Sequence, residues 1–455
     1  MKNVFFLIIF ISEACFAITR EDIVKSVLTH FPLIEEAELK LKASEGEVIS
    51  AEGAFDHKLS FKSRHRLEDK YDNKYFETII EKQTSVAGTN LFAGHRQGKG
   101  TFPAYDGKYK TSSAGEIFAG LAVPLLRNFN TDEFRTNLAV RQIENKQTDE
   151  MVKLKKLITV HKALSVYYKW LLELQKLKIN RNLFELADKR QKMLEKKYQA
   201  GDIEKIKLTD NFRAFDKRST EVLKNEIELN KFKTELSLYL RDSQGNPKTI
   251  NLESYQELTL PAPELGGLTE NKINPNPQLE FLKLELSKLS IEQDYHNQLQ
   301  KPGLNFEIIG SRELSPVNAA YDPESLQVGL KLDIPLENRK AEGKSVSTFY
   351  KMKSLEKQKN YLEQEINQQM NFFKNASMLS KTRWEIGTRE FEGTINMAEA
   401  EKKKWLQGAS DLFILNLREQ DVADVEIRRL AALYDYHQYL LDFDLFRASL
   451  PIYYE

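Results

Sequence analysis

Residues 325–340 read SLQVGLKLDIPLENRK. In an extended chain Leu326, Val328, Leu330, Leu332 and Ile334 fall on one face, and Gln327, Gly329, Lys331 and Asp333 on the other, an alternation of period two. Pro335 cannot donate to a strand ladder, so pairing should end there, and the charged run that follows has helix composition. The same device stands at residues 116–125, EIFAGLAVPL, where Ile117, Ala119, Leu121 and Val123 form the apolar set and Pro124 takes the place of Pro335. An amphipathic strand, a Pro-Leu stop and a very long helix are thus stated twice in one chain.

The 455 residues carry 67 Lys and Arg against 67 Asp and Glu. A net charge near zero removes the broad electrostatic argument for nucleic acid as a partner. Met1 to Ala17 combines a basic Lys2, an apolar run from Val4 to Ile11 and a small residue at Ala17, and reads as a secretory signal peptide. Cleavage after Ala17 would remove Cys15, the only cysteine. Acylation at Cys15 is the alternative, although Ser12 and Glu13 match a lipobox poorly. A disulfide scaffold is excluded either way. No later segment approaches about 18 uninterrupted apolar residues, so a membrane role requires strands and not helices.

Taken in order, Ile23, Val27, Leu28, Ile34, Leu41, Val48 and Ala51 predict helix over 18–55, interrupted at Pro32. His57–His65 alternates, with Leu59 and Phe61 against Lys58, Ser60 and Lys62, over a length of about ten residues that crosses a bilayer when tilted. Residues 71–111 are rich in Gly, Lys, Tyr and Asn and are expected to be a long exposed loop, within which 75–84 and 91–95 can pair as an additional hairpin. Gly94, Gly98 and Gly100 lack the Lys-Ser/Thr ending of a phosphate loop and read as loop tip. Asn130, with Glu133 three residues on, offers an N-cap, and helix then continues to about Ala200, a rod of about 100 Å at about 1.5 Å per residue. Leu154, Leu157, His161, Leu164, Tyr168 and Leu171 mark a coiled-coil seam, in which His161 is expected to be a packed, hydrogen-bonded histidine. Gly201 breaks the rod, and helix over about 203–240 returns as the second arm of a hairpin.

The second half repeats the first. Pro32, Leu39, Leu41, Leu59 and Phe61 meet the same residues 245 positions later, at Pro277, Leu284, Leu286, Leu304 and Phe306. Pro124 matches Pro335 at an offset of 211, so the segment between the strands is 34 residues shorter in the second half. Lys196, Lys197, Tyr198 and Gly201 match Lys403, Lys404, Trp405 and Gly408 at 207. The organisation expected is a signal peptide over 1–17, a first repeat over 18–241, a connector over 242–277 and a second repeat over 278–455.

Four amphipathic strands cannot close a barrel, and open edges in lipid leave backbone groups unpaired at several kcal/mol each. The chain must oligomerise, and three copies would supply twelve strands and a twelve-helix tube. In the signal peptide, the two strand-to-Pro-Leu-to-helix units at Pro124 and Pro335, the two aromatic-x-x-Gly breaks and the duplication, the sequence resembles the TolC-type outer-membrane efflux proteins over nearly the whole mature chain. The resemblance implies a mostly α fold with membrane β: long antiparallel coiled-coil hairpins forming a periplasmic α-barrel, and four strands per chain completing a 12-stranded trimeric barrel. It implies a homotrimer in the outer membrane of a Gram-negative bacterium, docked through a periplasmic adaptor onto an inner-membrane transporter for efflux or type I secretion. The lipid-facing residues would be Ile117, Leu121, Val123, Leu326, Val328, Leu330, Leu332 and Ile334. Tyr198, Gly201, Trp405 and Gly408 would form the periplasmic tip that meets the adaptor. Some members close the tip with aspartates six and nine residues after the second glycine; those positions here are Ile414 and Leu417, which leaves Asp210 and Asp411 as the nearest acidic candidates for an aperture.

No enzyme signature is present: the seven histidines show no metal-ligand spacing, and neither cofactor nor catalytic residue is expected. The competing class is a soluble periplasmic coiled-coil scaffold or adaptor. Five large aliphatics on one strand face, Leu326 to Ile334, argue against it.

Overall fold

The computed structural model describes residues 18–67, 71–106, 108, 110–250, 258–263, 275–314 and 324–452. The expected signal peptide, with Cys15, and part of the 242–277 connector lie outside the described residues. Two compact units interleave in sequence, one made of Met1–Ala37, Val152–Pro277 and Glu363–Glu455, the other of Glu38–Met151 and Gln278–Leu362. Residues 18–241 and 278–455, the two repeats expected from the sequence, therefore each contribute to both.

The second unit holds a single sheet. Its strands β1 (His57–Arg66), β2 (Asn73–Gln83), β3 (Asn90–Gly100), β4 (Glu116–Pro124), β5 (Gly303–Glu313) and β6 (Glu324–Asp333) lie in sequence order, each antiparallel to the next. The expectation of four strands is corrected to six: β2 and β3 occupy most of the stretch read as an exposed loop, and they are the additional hairpin expected of 75–84 and 91–95, each longer than expected. Gly94 and Gly98 are strand residues, not loop tip, and they are glycine for want of room. A Cβ at Gly94 would stand 2.7 Å from the Phe118 ring, and one at Gly98 2.8 Å from Ala104 Cβ. Both prolines stand at strand ends: Pro124 is the last residue of β4, although Leu125 N–H still donates to the Leu304 carbonyl at 2.6 Å, and Pro335 follows a β6 that stops at Asp333, so that Ile334 lies just beyond it. Most of helices α2 (Pro32–Glu52) and α5 (Pro277–Leu299) and parts of α3 (Glu133–Gln199) and α6 (Arg339–Leu406) complete this unit. They are joined by polar bridges: Ser44 Oγ to Asn145 at 2.6 Å, Gln147 Nε2 to Glu285 at 2.7 Å and Gln293 Nε2 to Ser345 at 2.6 Å. The cap of α3 is Asp132 and not Asn130, since its carboxylate accepts from Arg135 N–H at 2.9 Å.

The first unit is built on α1 (Arg20–His30), α4 (Lys205–Ser237), α7 (Leu412–Phe446) and the rest of α3 and α6. A capping box starts α1, Thr19 Oγ1 accepting from Asp22 N–H at 3.1 Å and Asp22 accepting from Thr19 N–H at 3.0 Å. The α3 seam is buried: Leu157, Leu164, Tyr168 and Leu171 pack with Trp170 against Ile23 and Val27 of α1, Leu229 and Leu236 of α4, and Leu433 of α7. His161 is hydrogen-bonded as expected, 2.6 Å from Asp442. His437 lies 2.7 Å from the Pro261 carbonyl and stacks on Tyr168. Leu164 is wholly buried, so Leu164→Ala should cost about 2–5 kcal/mol. Denaturant titration in detergent against Leu223→Ala, at an exposed position, measures it, and equal losses would contradict this core.

Candidate functional site

Ladder partners in an antiparallel sheet share a face, so register sorts every strand residue. Leu121 of β4 stands beside Ile308 of β5 and Val328 of β6, and Val123 beside Phe306 and Leu330. The expected apolar set is thereby brought onto one face of the sheet: Ile117, Leu121 and Val123 with Leu326, Val328, Leu330 and Leu332. The face is bare, and the four β6 side chains are 59–70% exposed. Burying such residues is worth about 1.5–3 kcal/mol each, which makes the face unstable in water unless something apolar covers it. Ile334, past the end of the strand, is exposed as well.

The other face is polar and partly covered. Tyr105, Asp106, Lys108 and Ser112 fold back onto it around Glu116, a carboxylate 1% exposed. Glu116 accepts from Arg96 Nε at 3.0 Å, Lys108 Nζ at 3.0 Å and Tyr105 Oη at 2.7 Å. Lys108 also reaches Glu313 on β5 at 3.3 Å, whose second oxygen accepts from Ser112 N–H at 3.0 Å. The Arg96 guanidinium lies 4.1 Å over the Tyr105 ring and makes a further ion pair with Asp106 at 3.0 Å. Desolvation of so many charges is tolerable only because each is paired and hydrogen-bonded. Sequence reading passed over this cluster, and its signal was faint: Glu116 is the one charge in EIFAGLAVP and faces away from the apolar set.

At the far ends of α3 and α6 stand the two aromatic-x-x-Gly breaks, and they are one motif used twice. Gly201 N–H donates to the Tyr198 carbonyl at 3.0 Å and Asp202 N–H to that of Lys197 at 2.9 Å. Gly408 N–H donates to Trp405 at 3.0 Å and Ala409 N–H to Lys404 at 2.9 Å. These are paired Schellman closures, with φ at +80° and +76° where glycine alone is unstrained. The returning helices start at Lys205 and Leu412, again 207 residues apart. Asp411 caps α7 by accepting from Phe413 N–H at 3.2 Å. Asp210 is exposed on α4, and the two aspartates line one groove of about 460 Å³ with Arg213, Lys217 and Leu417.

Above that groove lies a cluster the sequence reading did not single out. Glu419 of α7 pairs with Arg190 of α3 at 2.5 Å and with Arg218 of α4 at 3.2 Å, and Arg218 also donates to the Leu183 carbonyl at 3.1 Å. Burial pushes the Arg218 guanidinium below its ordinary value, with Glu419 opposing the shift. Arg190 occupies a seam position between buried Ala187 and Leu194, and a charge at such a position was the available signal.

Two measurements follow from this geometry. Glu116→Ala would strand Arg96 and Lys108 and should cost about 3–5 kcal/mol, with new protease cleavage inside 101–115; an uncleaved, equally stable variant would refute the anchoring role. Burial raises the Glu426 carboxyl from its usual 4.5, with Arg429 and Lys178 opposing. A raised folded value favours the protonated form, so that contribution is complete below about 4.5 and is lost as pH rises through the folded value. Glu426→Gln should therefore be the more stable protein at neutral pH, with the difference vanishing in acid; parallel pH–stability curves would count against it.

No protein-family model and no curated protein sequence matches the chain. Solved structures do. The outer-membrane channel OprN superposes with a TM-score of 0.67 at 10% identity, over 94% of this chain and 90% of that one. The CmeC outer membrane channel of Campylobacter jejuni gives 0.64 at 9%, over 94% and 86%. The open MtrE outer membrane channel of Neisseria gonorrhoeae gives 0.64 at 9%, over 94% and 88%. With so few identical residues the likeness is one of fold, and it spans nearly all of both chains: this protein has the fold of the TolC-type outer-membrane channels.

Proposed function

We propose that the chain is the outer-membrane channel component of a tripartite efflux or type I secretion system, a homotrimer conducting cargo from the periplasm of a Gram-negative bacterium to the exterior. Its work is conduction and not catalysis, and it needs no cofactor. The observation that carries this reading is a sheet with bare aliphatics on one face and paired charges on the other. Lipid suits the first face and an aqueous lumen the second. β1 and β6 each have one neighbour, and hydrocarbon does not tolerate their unpaired edges, so further copies must complete the wall.

The shared fold supports the same reading, because the structures it resembles are described as outer membrane channels. The turns at Tyr198/Gly201 and Trp405/Gly408 are the surfaces offered to a periplasmic adaptor, which would connect the chain to an inner-membrane transporter. Asp210 and Asp411 line one groove, and on this reading they are the acidic groups that would border an aperture.

Leu330→Arg puts a charge on the apolar face and should cost about 2–4 kcal/mol near the bilayer midplane. The full chain would be expressed with its signal, outer membranes isolated, and the detergent extract sized by light scattering. A trimeric wild type in that fraction, with the variant depleted from it, is the expected result. A wild type soluble in the periplasm as monomer or dimer would replace the channel with the scaffold reading.

A further inference from the structure

β2 and β3 are not an appendage to the sheet. β2 pairs with β1 along all of β1, from His57↔Lys82 to Arg66↔Asn73, and with β3 from Asn73↔Gly100 to Gln83↔Asn90. The turn joining them, closed by Thr84 N–H on the Thr89 carbonyl at 2.8 Å, lies at the end of the sheet where β4 stops and β5 starts. There a Cβ on Gly88 would stand 2.8 Å from the Asn128 carbonyl and 2.9 Å from the Asp132 carboxylate. Both strands thus run the height of the wall.

Their outward residues continue the apolar face. Leu59 and Phe61 of β1, Phe76 and Ile80 of β2, and Leu91 of β3 are 43–67% exposed and share the side of the sheet that carries Leu121 and Val328. The band also slants. On β6 it runs from Leu332 to Leu326, and the ladder row of Leu326 passes through Gly310, Ala119 and Ala93 to Ile80. Ile80 is the lower edge of the band on β2, and Phe76 the upper. Over the four steps from β6 to β2 the lower edge has moved six residues and the upper edge four. A level bilayer meeting strands about 4.8 Å apart and tilted by about 35–45° requires a drift of about one to one and a half residues per strand. From β6 to β2 the observed drift is of that size, and on β1 the band is Leu59 and Phe61, level with Ile80 and Thr78. An extracellular hairpin would have no reason to continue that slant.

We infer that the β2–β3 hairpin is part of the membrane wall, so that three copies of the six-stranded sheet close an eighteen-stranded barrel, with β1 of each copy pairing β6 of the next. This rests on the trimeric channel reading. Barrel diameter grows roughly linearly with strand number, so the exit is about half as wide again as a twelve-stranded one. Tyr105, Lys108 and Ser112, pinned to the polar face by Glu116 and Glu313, occupy part of that added width.

Tryptophan introduced at Ile80, Leu91 or, independently, Phe76 would be compared with Leu330→Trp on β6, each as the purified trimer in phosphatidylcholine vesicles with and without brominated acyl chains. Emission of the unsubstituted protein, from Trp170, Trp384 and Trp405, is subtracted. The inference expects the hairpin tryptophans to be quenched to the same extent as the one at 330. Quenching at 330 alone would put the hairpin outside the bilayer, overturning the eighteen-stranded wall while leaving the channel standing. If the tryptophan at 330 is not quenched either, the channel reading fails and takes this inference with it.

Discussion

The two unpaired edges of the sheet constrain everything else. A strand buried on neither face and paired on one side is tolerable in water only when short, polar or covered, and β6 is none of these: ten residues with four bare aliphatics in alternate positions. Its partner edge, β1, has the same character in Leu59 and Phe61. On the channel reading both problems have one solution, since closure against further copies satisfies the backbone while lipid covers the aliphatics. Pro124 and Pro335 then mark the strand ends where the chain leaves hydrocarbon.

The polar side of the sheet obeys a different economy. Glu116 and Glu313 are nearly inaccessible, yet neither is isolated, because Arg96, Lys108, Tyr105 and the Ser112 amide converge on them. Such a network fixes Tyr105, Lys108 and Ser112 in place more through geometry than through net stabilisation, as unpaired alternatives are so costly. The Arg190–Glu419–Arg218 cluster applies the same rule where α3, α4 and α7 meet, holding three helices in one register by long-range charge pairs.

How far these features could be read without coordinates depended on whether their cause was local. The Schellman turns at Gly201 and Gly408 were legible because helix termination needs only a few consecutive residues, and the duplication at 207 repeated the message. β4 and β6 were legible because alternation of large aliphatics is local too. β3 was not. Its face toward Phe118 and Ala104 holds Gly94 and Gly98, which resemble a loop until the side chains filling the space above them are known. The cap of α3 went astray by two residues for a similar reason: Asn130 and Asp132 are both good caps, and only Arg135, donating to the second, decides between them.

By itself, the order of residues determined where the long helices break and which residues of four strands point together. Those properties follow from backbone sterics and from periods of two and of 3.6, which act over a turn or a few residues. Tertiary structure decided the number of strands, their order and the identity of the buried ion clusters. Each of these depends on partners brought together from distant parts of the chain, such as Lys108 with Glu313 across 205 residues and Arg190 with Glu419 across 229. Whether a charge is buried or a glycine is required is a property of the neighbour, and the neighbour is supplied only by the fold.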